Sequence, residues 1–232
     1  MTTLVLFRKE VTEHWRTYKS LSVAAVLLVF GLASPLLLAY LPELIEFSGD
    51  DQIVFEIPEF TAADAVINYV ETLGQVGLIT IILISMGAIA EERERGTIEL
   101  LLSKPVGAGP FVIAKLMGLT TVLTAGLVAG AAGCYGYTVV LVGNPDALSF
   151  VASMLLAGPY LLVVMSVTLF FGAMVKNQII AGVLALTLLI SGAFLSSLPA
   201  LGPYLPGSLM RWATDLHTGG ARTASWGHWQ SA

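Results

Sequence analysis

Charge is what this 232-residue sequence has least of. Asp, Glu, Lys and Arg make up 12% of it, against 56% hydrophobic residues and a mean hydropathy of +0.84. A soluble domain carries about 25% charged residues, so the composition belongs to the membrane class. Five windows, 20–42, 72–90, 116–145, 147–175 and 177–210, contain no Asp, Glu, Lys, Arg or His. Each is roughly as long as, or longer than, the ~20 residues an α-helix needs to cross hydrocarbon. Lipid offers no partner for open backbone groups, which leaves an all-α polytopic bundle as the fold class. Spans are expected at 21–41, 73–90, 117–141, 150–175 and 179–198. A secretory signal peptide would need a short apolar core soon after a basic start. The first apolar run here begins near residue 20 and is too long for that.

Other absences exclude whole chemistries. The single cysteine, Cys134, cannot form an internal disulfide and has no ligand set around it, so a packing role is expected. His14, His217 and His228 show no metal-ligand spacing. No Gly-Lys pair occurs, so there is no P-loop. No ionisable residue lies at mid-depth in any span, which argues against ion-coupled carriers, proton pumps and voltage sensors. Neither a His-Glu-x-x-His helix nor a Ser/His or paired-carboxylate site lies within the membrane. No enzyme is expected here. If the chain moves something, the energy comes from a partner.

The charges that are present are placed unevenly. Of eleven Lys and Arg, the N-terminal segment holds Arg8, Lys9, Arg16 and Lys19. The 91–115 segment holds Arg93, Arg95, Lys104 and Lys115, and the 176–178 turn holds Lys176. The 42–72 segment has eight acids and no basic residue. The positive-inside rule puts the N-terminus and the 91–115 segment in the cytoplasm of a multi-pass cell-membrane protein, with 42–72 as an acidic outer loop.

Residues 2–19 read as an amphipathic helix on the membrane surface, with Leu4, Phe7, Val11, Trp15 and Tyr18 on one side. Gly31 and Pro35 predict a kink in the first span. Thr61 with Asp64 is a weakened capping box, so the second helix is expected to begin before the membrane. Gly126, Gly130 and Gly133 form small-xxx-small spacings with Ala129, which suit close helix packing within the chain or in a dimer. Residues 199–232 are proline-rich, then amphipathic around Leu209 to Leu216, and are expected to form an outer tail.

The stretch "AEERERGTIELLLSKPVGAG" at 90–109 is the least expected in so apolar a chain. Glu91 and Arg95 stand at i,i+4 in the favourable order and extend the second helix into water. Gly96 breaks it, and Thr97 can cap a new helix with Glu99 in its first turn. Ile98, Leu101 and Leu102 form an apolar face, Pro105 ends the helix, and Pro110 is placed to start the next. By themselves these residues fit either a helix resting on the bundle or a protein-docking surface with a polar rim.

With its flanks, "AEERERGTIELLLSKPVGAGPFVIAK" resembles the signature of type-2 ATP-binding-cassette transporter permeases. The matching positions are Glu92, Gly96, Thr97, Glu99, Leu101, Leu102, Pro105, Val106 and Lys115. The N-terminal helix is similar to that family's elbow helix, and the branch nearest in pattern includes the permease of the nitrous-oxide-reductase maturation system. The resemblance implies that 91–110 is a coupling loop docking in a cytoplasmic ATPase subunit, through Glu92, Gly96, Thr97, Ile98, Glu99, Leu101, Leu102, Ser103, Lys104 and Pro105. It implies an exporter built from two permease copies, with ATP and Mg bound by the ATPase and no cofactor on this chain. No nucleic-acid partner is implied. Gly107, Ala108 and Gly109 depart from the family's Ser and Arg, and a sixth span is expected beyond residue 232. The alternative is a membrane scaffold that binds a cytoplasmic protein without transport.

Overall fold

A computed structural model describes residues 2–47, 60–94, 108–196, 198 and 200–218. Helix α1 (Thr2–Arg16) leads into α2 (Lys19–Phe47) through a corner at Tyr18, whose φ of 55° is left-handed. Helix α2 keeps its helical pattern through Pro35. The second rod combines α3 (Ala62–Thr72), a π-turn (Leu73–Gly77), α4 (Leu78–Ser85) and α5 (Gly87–Glu94). Its start is a complete capping box. Thr61 Oγ1 accepts from the Asp64 amide at 3.4 Å, and the Asp64 carboxylate accepts from the Thr61 amide at 2.8 Å. The segment expected as a 42–72 loop therefore carries helix at both ends.

Helix α6 (Ala108–Leu141) follows, then α7 (Ala147–Met174), capped by Asp146, which accepts from the Ser149 amide at 2.9 Å. A short turn leads to α8 (Gln178–Ser196), where Asn177 Oδ1 accepts from the amides of Ile179 and Ile180. A 3₁₀ turn (Gly202–Tyr204) and α9 (Gly207–Asp215) then fold back onto α7 and α3. Among the described residues, five stretches are long and apolar enough to span a membrane: Ser20–Leu41, Ala62–Arg93, Gly109–Leu141, Ala147–Met174 and Gln178–Ser196. The second, at 32 residues, extends roughly 48 Å, more than the ~30 Å hydrocarbon core, so its α3 end projects beyond the bilayer.

Helices α2 and α6 run parallel in the most extensive contact of the bundle, with Val23 level with Gly126 and Leu27 with Gly130. Apolar surface gains nothing by leaving lipid, so association depends on backbones coming close, and small residues permit that. A side chain at Gly126 would meet Val23 Cγ1 at 2.9 Å, and one at Gly133 would meet Leu28 Cδ1 at 2.8 Å. At Gly130 it would meet the Leu27 carbonyl oxygen at 2.7 Å and also the Tyr69 hydroxyl. The three glycines of the expected small-residue face thus pack against α2 of the same chain.

Buried side chains form two layers. One layer, at the end carrying α9, gathers Val23, Leu27, Tyr69, Leu73, Phe150 and Ala213 around Cys134. The other, toward the ends of α5 and α6 that flank residues 95–107, gathers Ile81, Ile89, Leu119, Leu161, Met165 and Leu169. Ile179, Val183, Leu188 and Phe194 of α8 point outward, as lipid-facing residues do.

Helix α9 is clasped to α7 by polar contacts. Ser153 Oγ lies 2.9 Å from the Ala213 carbonyl oxygen and 2.8 Å from His217 Nε2. A hydroxyl has one proton, so His217 Nε2 donates to Ser153 when that proton goes to a carbonyl, and accepts it otherwise. Burial lowers the His217 pKa below its ordinary 6.5, and the Asp146 charge opposes that without cancelling it.

Two predictions follow from this packing. Gly130→Ala drives a methyl into the Leu27 backbone and costs about 1–3 kcal/mol, measured by thermal unfolding in mild detergent. Gly136→Ala, with nothing within 4 Å, costs no stability and raises it slightly through helix propensity. For His217, a depressed folded pKa gives a contribution present above pH 6.5 and lost as pH falls below it. Amide exchange across α9, corrected for its intrinsic rate, therefore speeds up on acidification, and His217→Gln flattens that dependence.

Candidate functional site flanking residues 95–107

Of the residues expected to form a docking surface, Gly96, Thr97, Ile98, Glu99, Leu101, Leu102, Ser103, Lys104 and Pro105 lie outside the described residues. Glu92 lies inside, and so does Lys115. They stand on the two flanks of the loop, and they meet. Lys115 Nζ is 2.9 Å from Glu92 Oε1, closing the base of the loop with an ion pair.

Lys115 has a second carboxylate. Its Nζ lies 3.3 and 3.4 Å from the two oxygens of Glu10 on α1. Lys115 and Glu10 are only 4% and 3% exposed. The ammonium also sits 5.4 Å from the centre of the Phe111 ring, one turn earlier on α6, within cation–π range. His14, one turn beyond Glu10, is buried against α6 with its Nε2 4.0 Å from Glu10 Oε2. Gly118 makes room for both, since a side chain there would come within 2.9 Å of Glu10 Cβ.

Helix α1 therefore turns Glu10 and His14 toward the bundle, with the half-buried Phe7 and Val11 beside them. Trp15 at 72% exposure and Tyr18 at 68% face outward, where aromatic residues anchor a helix in the membrane interface. Lys9 borders the cluster, 3.4 Å from Glu13. Partial burial works against its charge, but Glu10, Glu13 and Glu92 outweigh burial and hold its pKa above the ordinary lysine value.

Arg93 ties the same loop flank to a third element. Its guanidinium donates to the Ala173 carbonyl in the last turn of α7, where helix carbonyls lack intrahelical donors. Gly172 lets that turn approach α5, with its side-chain position 3.7 Å from the Ala90 amide. Glu92 and Arg93 together join the loop to α1, α6 and α7.

This arrangement sets one buried ammonium between two carboxylates. It is an ion lock. Buried charges stay charged only while their partners remain, because an uncompensated ion in low dielectric is costly. Glu10, His14, Phe111 and Gly118 are the site residues that sequence reasoning passed over. Two signals pointed to them: the i,i+4 spacing of Glu10 and His14, and the isolation of Lys115 as the one charge between residues 106 and 145.

Lys115→Met leaves Glu10 buried without its cation and is expected to cost about 3–5 kcal/mol. The double variant Lys115→Met with Glu10→Gln loses less than the sum of the two singles. Thermal unfolding of all four proteins in mild detergent gives the coupling, and strict additivity would show that the contact contributes nothing.

Comparison with known proteins places this geometry. The sequence pattern of ABC-2 family transporter proteins matches residues 4–205, from α1 to just past the 3₁₀ turn. The chain is also similar to the "Uncharacterized transmembrane protein YxlG" of Bacillus subtilis (strain 168), 24% identical over 229 residues that cover 97% of this chain and 88% of that protein. With an all-helical bundle of five apolar spans and a match over most of its length, the chain belongs to the ABC-2 transporter family, as a multi-pass membrane subunit of transport.

Proposed function

We propose that this chain is the permease subunit of an ABC exporter in the cell membrane, working as a homodimer with a separate ATPase docked on the 95–107 loop. The N-terminus and the loop face the cytoplasm in this reading, in line with the basic residues clustered there. ATP and Mg belong to the partner. The branch that includes the nitrous-oxide-reductase maturation permease is the nearest by signature.

The observation that carries the proposal is the Glu10–Lys115–Glu92 lock at the root of the signature loop. A docking loop can move spans only if its flanks are rigidly joined to them. Here one flank holds α6 through Glu92, the other flank is α6 itself, and Glu10 brings α1 into the same unit. Arg93 adds α7. A push on the loop would reach three spans and the elbow helix together.

Affinity purification from mild detergent, scored for a co-purifying ATPase, tests the docking. The intact chain is expected to retain a nucleotide-binding subunit, and Leu101→Asp with Glu99→Ala to lose it. Transport further predicts that the ATPase turns over faster with the permease present. An ATPase that binds without being stimulated would instead favour the scaffold reading.

A further inference from the structure

The end of the bundle opposite the 95–107 loop holds a crevice of about 430 Å³ between the π-turn, the end of α8 and α9. Ligand sites fall in the range of roughly 300–1,000 Å³. Val70, Ala193 and Met210 form its apolar wall, and Glu71, Gln75, Tyr160, Ser196, Arg211 and Thr214 supply the polar groups.

Its depth in the membrane follows from helix rise. From Glu91 at the loop end back to Glu71 the second rod climbs roughly 30 Å, the thickness of the hydrocarbon core. Gln178 to Ser196 climbs nearly as far along α8. The crevice therefore opens at headgroup level in the leaflet away from the loop. Tyr204, 82% exposed, and Trp212, 38% exposed, lie in the same 202–215 segment, as interfacial aromatics do.

The polar groups are arranged for a particular charge pattern. Among the described residues, no ion pair or hydrogen bond engages the Glu71 carboxylate or the Arg211 guanidinium, although both line the crevice. Ser196 Oγ donates its proton to the Ala193 carbonyl at 2.7 Å, and Thr214 Oγ1 donates to the Arg211 carbonyl at 2.8 Å. Both hydroxyls thus offer only lone pairs inward. Glu71, Ser196 and Thr214 are acceptors awaiting donors, and Arg211 is a planar cation suited to phosphate. The π-turn, a feature frequent at functional sites, contributes Gly74 and Gln75 to the wall. Gly74 keeps the crevice open, since a side chain there would first meet Met210 Cγ at 3.9 Å.

We propose that this crevice binds a phospholipid headgroup carrying a phosphate and a primary ammonium, the phosphate on Arg211 and the ammonium on Glu71, Ser196 and Thr214. A quaternary ammonium cannot donate hydrogen bonds, and a glycerol headgroup has no cation, so both bind less well. The inference does not depend on which leaflet faces the cytoplasm, nor on the ATPase.

The test purifies the full chain from bilayers of equal parts phosphatidylethanolamine, phosphatidylcholine and phosphatidylglycerol, and counts retained lipids by mass spectrometry. Phosphatidylethanolamine is expected to be enriched about fivefold, as a hydrogen bond or two would give. Glu71→Gln and Arg211→Gln each return the ratio to that of the bilayer, with thermal unfolding unchanged. Gly74→Leu, which fills the crevice without touching a charge, does the same, while Gly192→Leu, on an open face, does not. Free phosphoethanolamine at millimolar concentration is the second arm. Binding of that molecule without lipid enrichment would assign the crevice to a soluble zwitterion and overturn the lipid proposal. Equal retention of the three lipids, or enrichment that survives all three crevice variants, would also overturn it.

Discussion

A lysine at the mouth of an apolar helix has to find negative charge, and that requirement organises one end of this protein. Lys115 is almost wholly buried, in the second turn of α6, and it draws Glu10 from α1 and Glu92 from α5 onto one ammonium. Glu10 and His14 of α1 face inward beside the half-buried Phe7 and Val11, and Trp15 and Tyr18 are left exposed. Without Lys115, Glu10 would be buried with no cation on that side, which is costly.

The same end shows why the loop is held from several sides. Glu92 and Arg93 are neighbours in sequence, yet as consecutive helical residues they point about 100° apart. One reaches α6 and the other reaches the end of α7. The rod that carries both also packs closely on α7 at Gly172 and on α8 at Gly182. Several spans therefore meet at this flank, as the proposed transport role requires.

Farther along, polar contact gives way to backbone proximity. Helices α2 and α6 meet through Gly31, Gly126, Gly130 and Gly133, with Tyr69 of α3 filling the remaining space over Gly130. This seam joins the locked end to the layer around Cys134, where α3 and α9 pack. The π-turn at Leu73–Gly77 lies at the boundary between the α3 projection and the membrane-embedded rod. Helix α9, folded back onto α7 and α3, brings Arg211 and Thr214 to the same crevice as Glu71 and Ser196.

The sequence by itself determined the helical class, the five spans, the Thr61–Asp64 start of the second rod and the family signature. Each of these is written locally: an uncharged run of sufficient length, a cap three residues from its partner, a motif of fixed spacing. It also named Gly126, Gly130 and Gly133 as a close-packing face, but not the helix they meet, because small spacing says nothing about the partner. Only the tertiary structure decided that α2 fills that role, that Glu10 and His14 face inward, and that Glu71 and Arg211 share a crevice. Those facts join residues more than a hundred positions apart, through contacts whose strength depends on burial. Burial is a property of the assembled bundle, and no local pattern carries it.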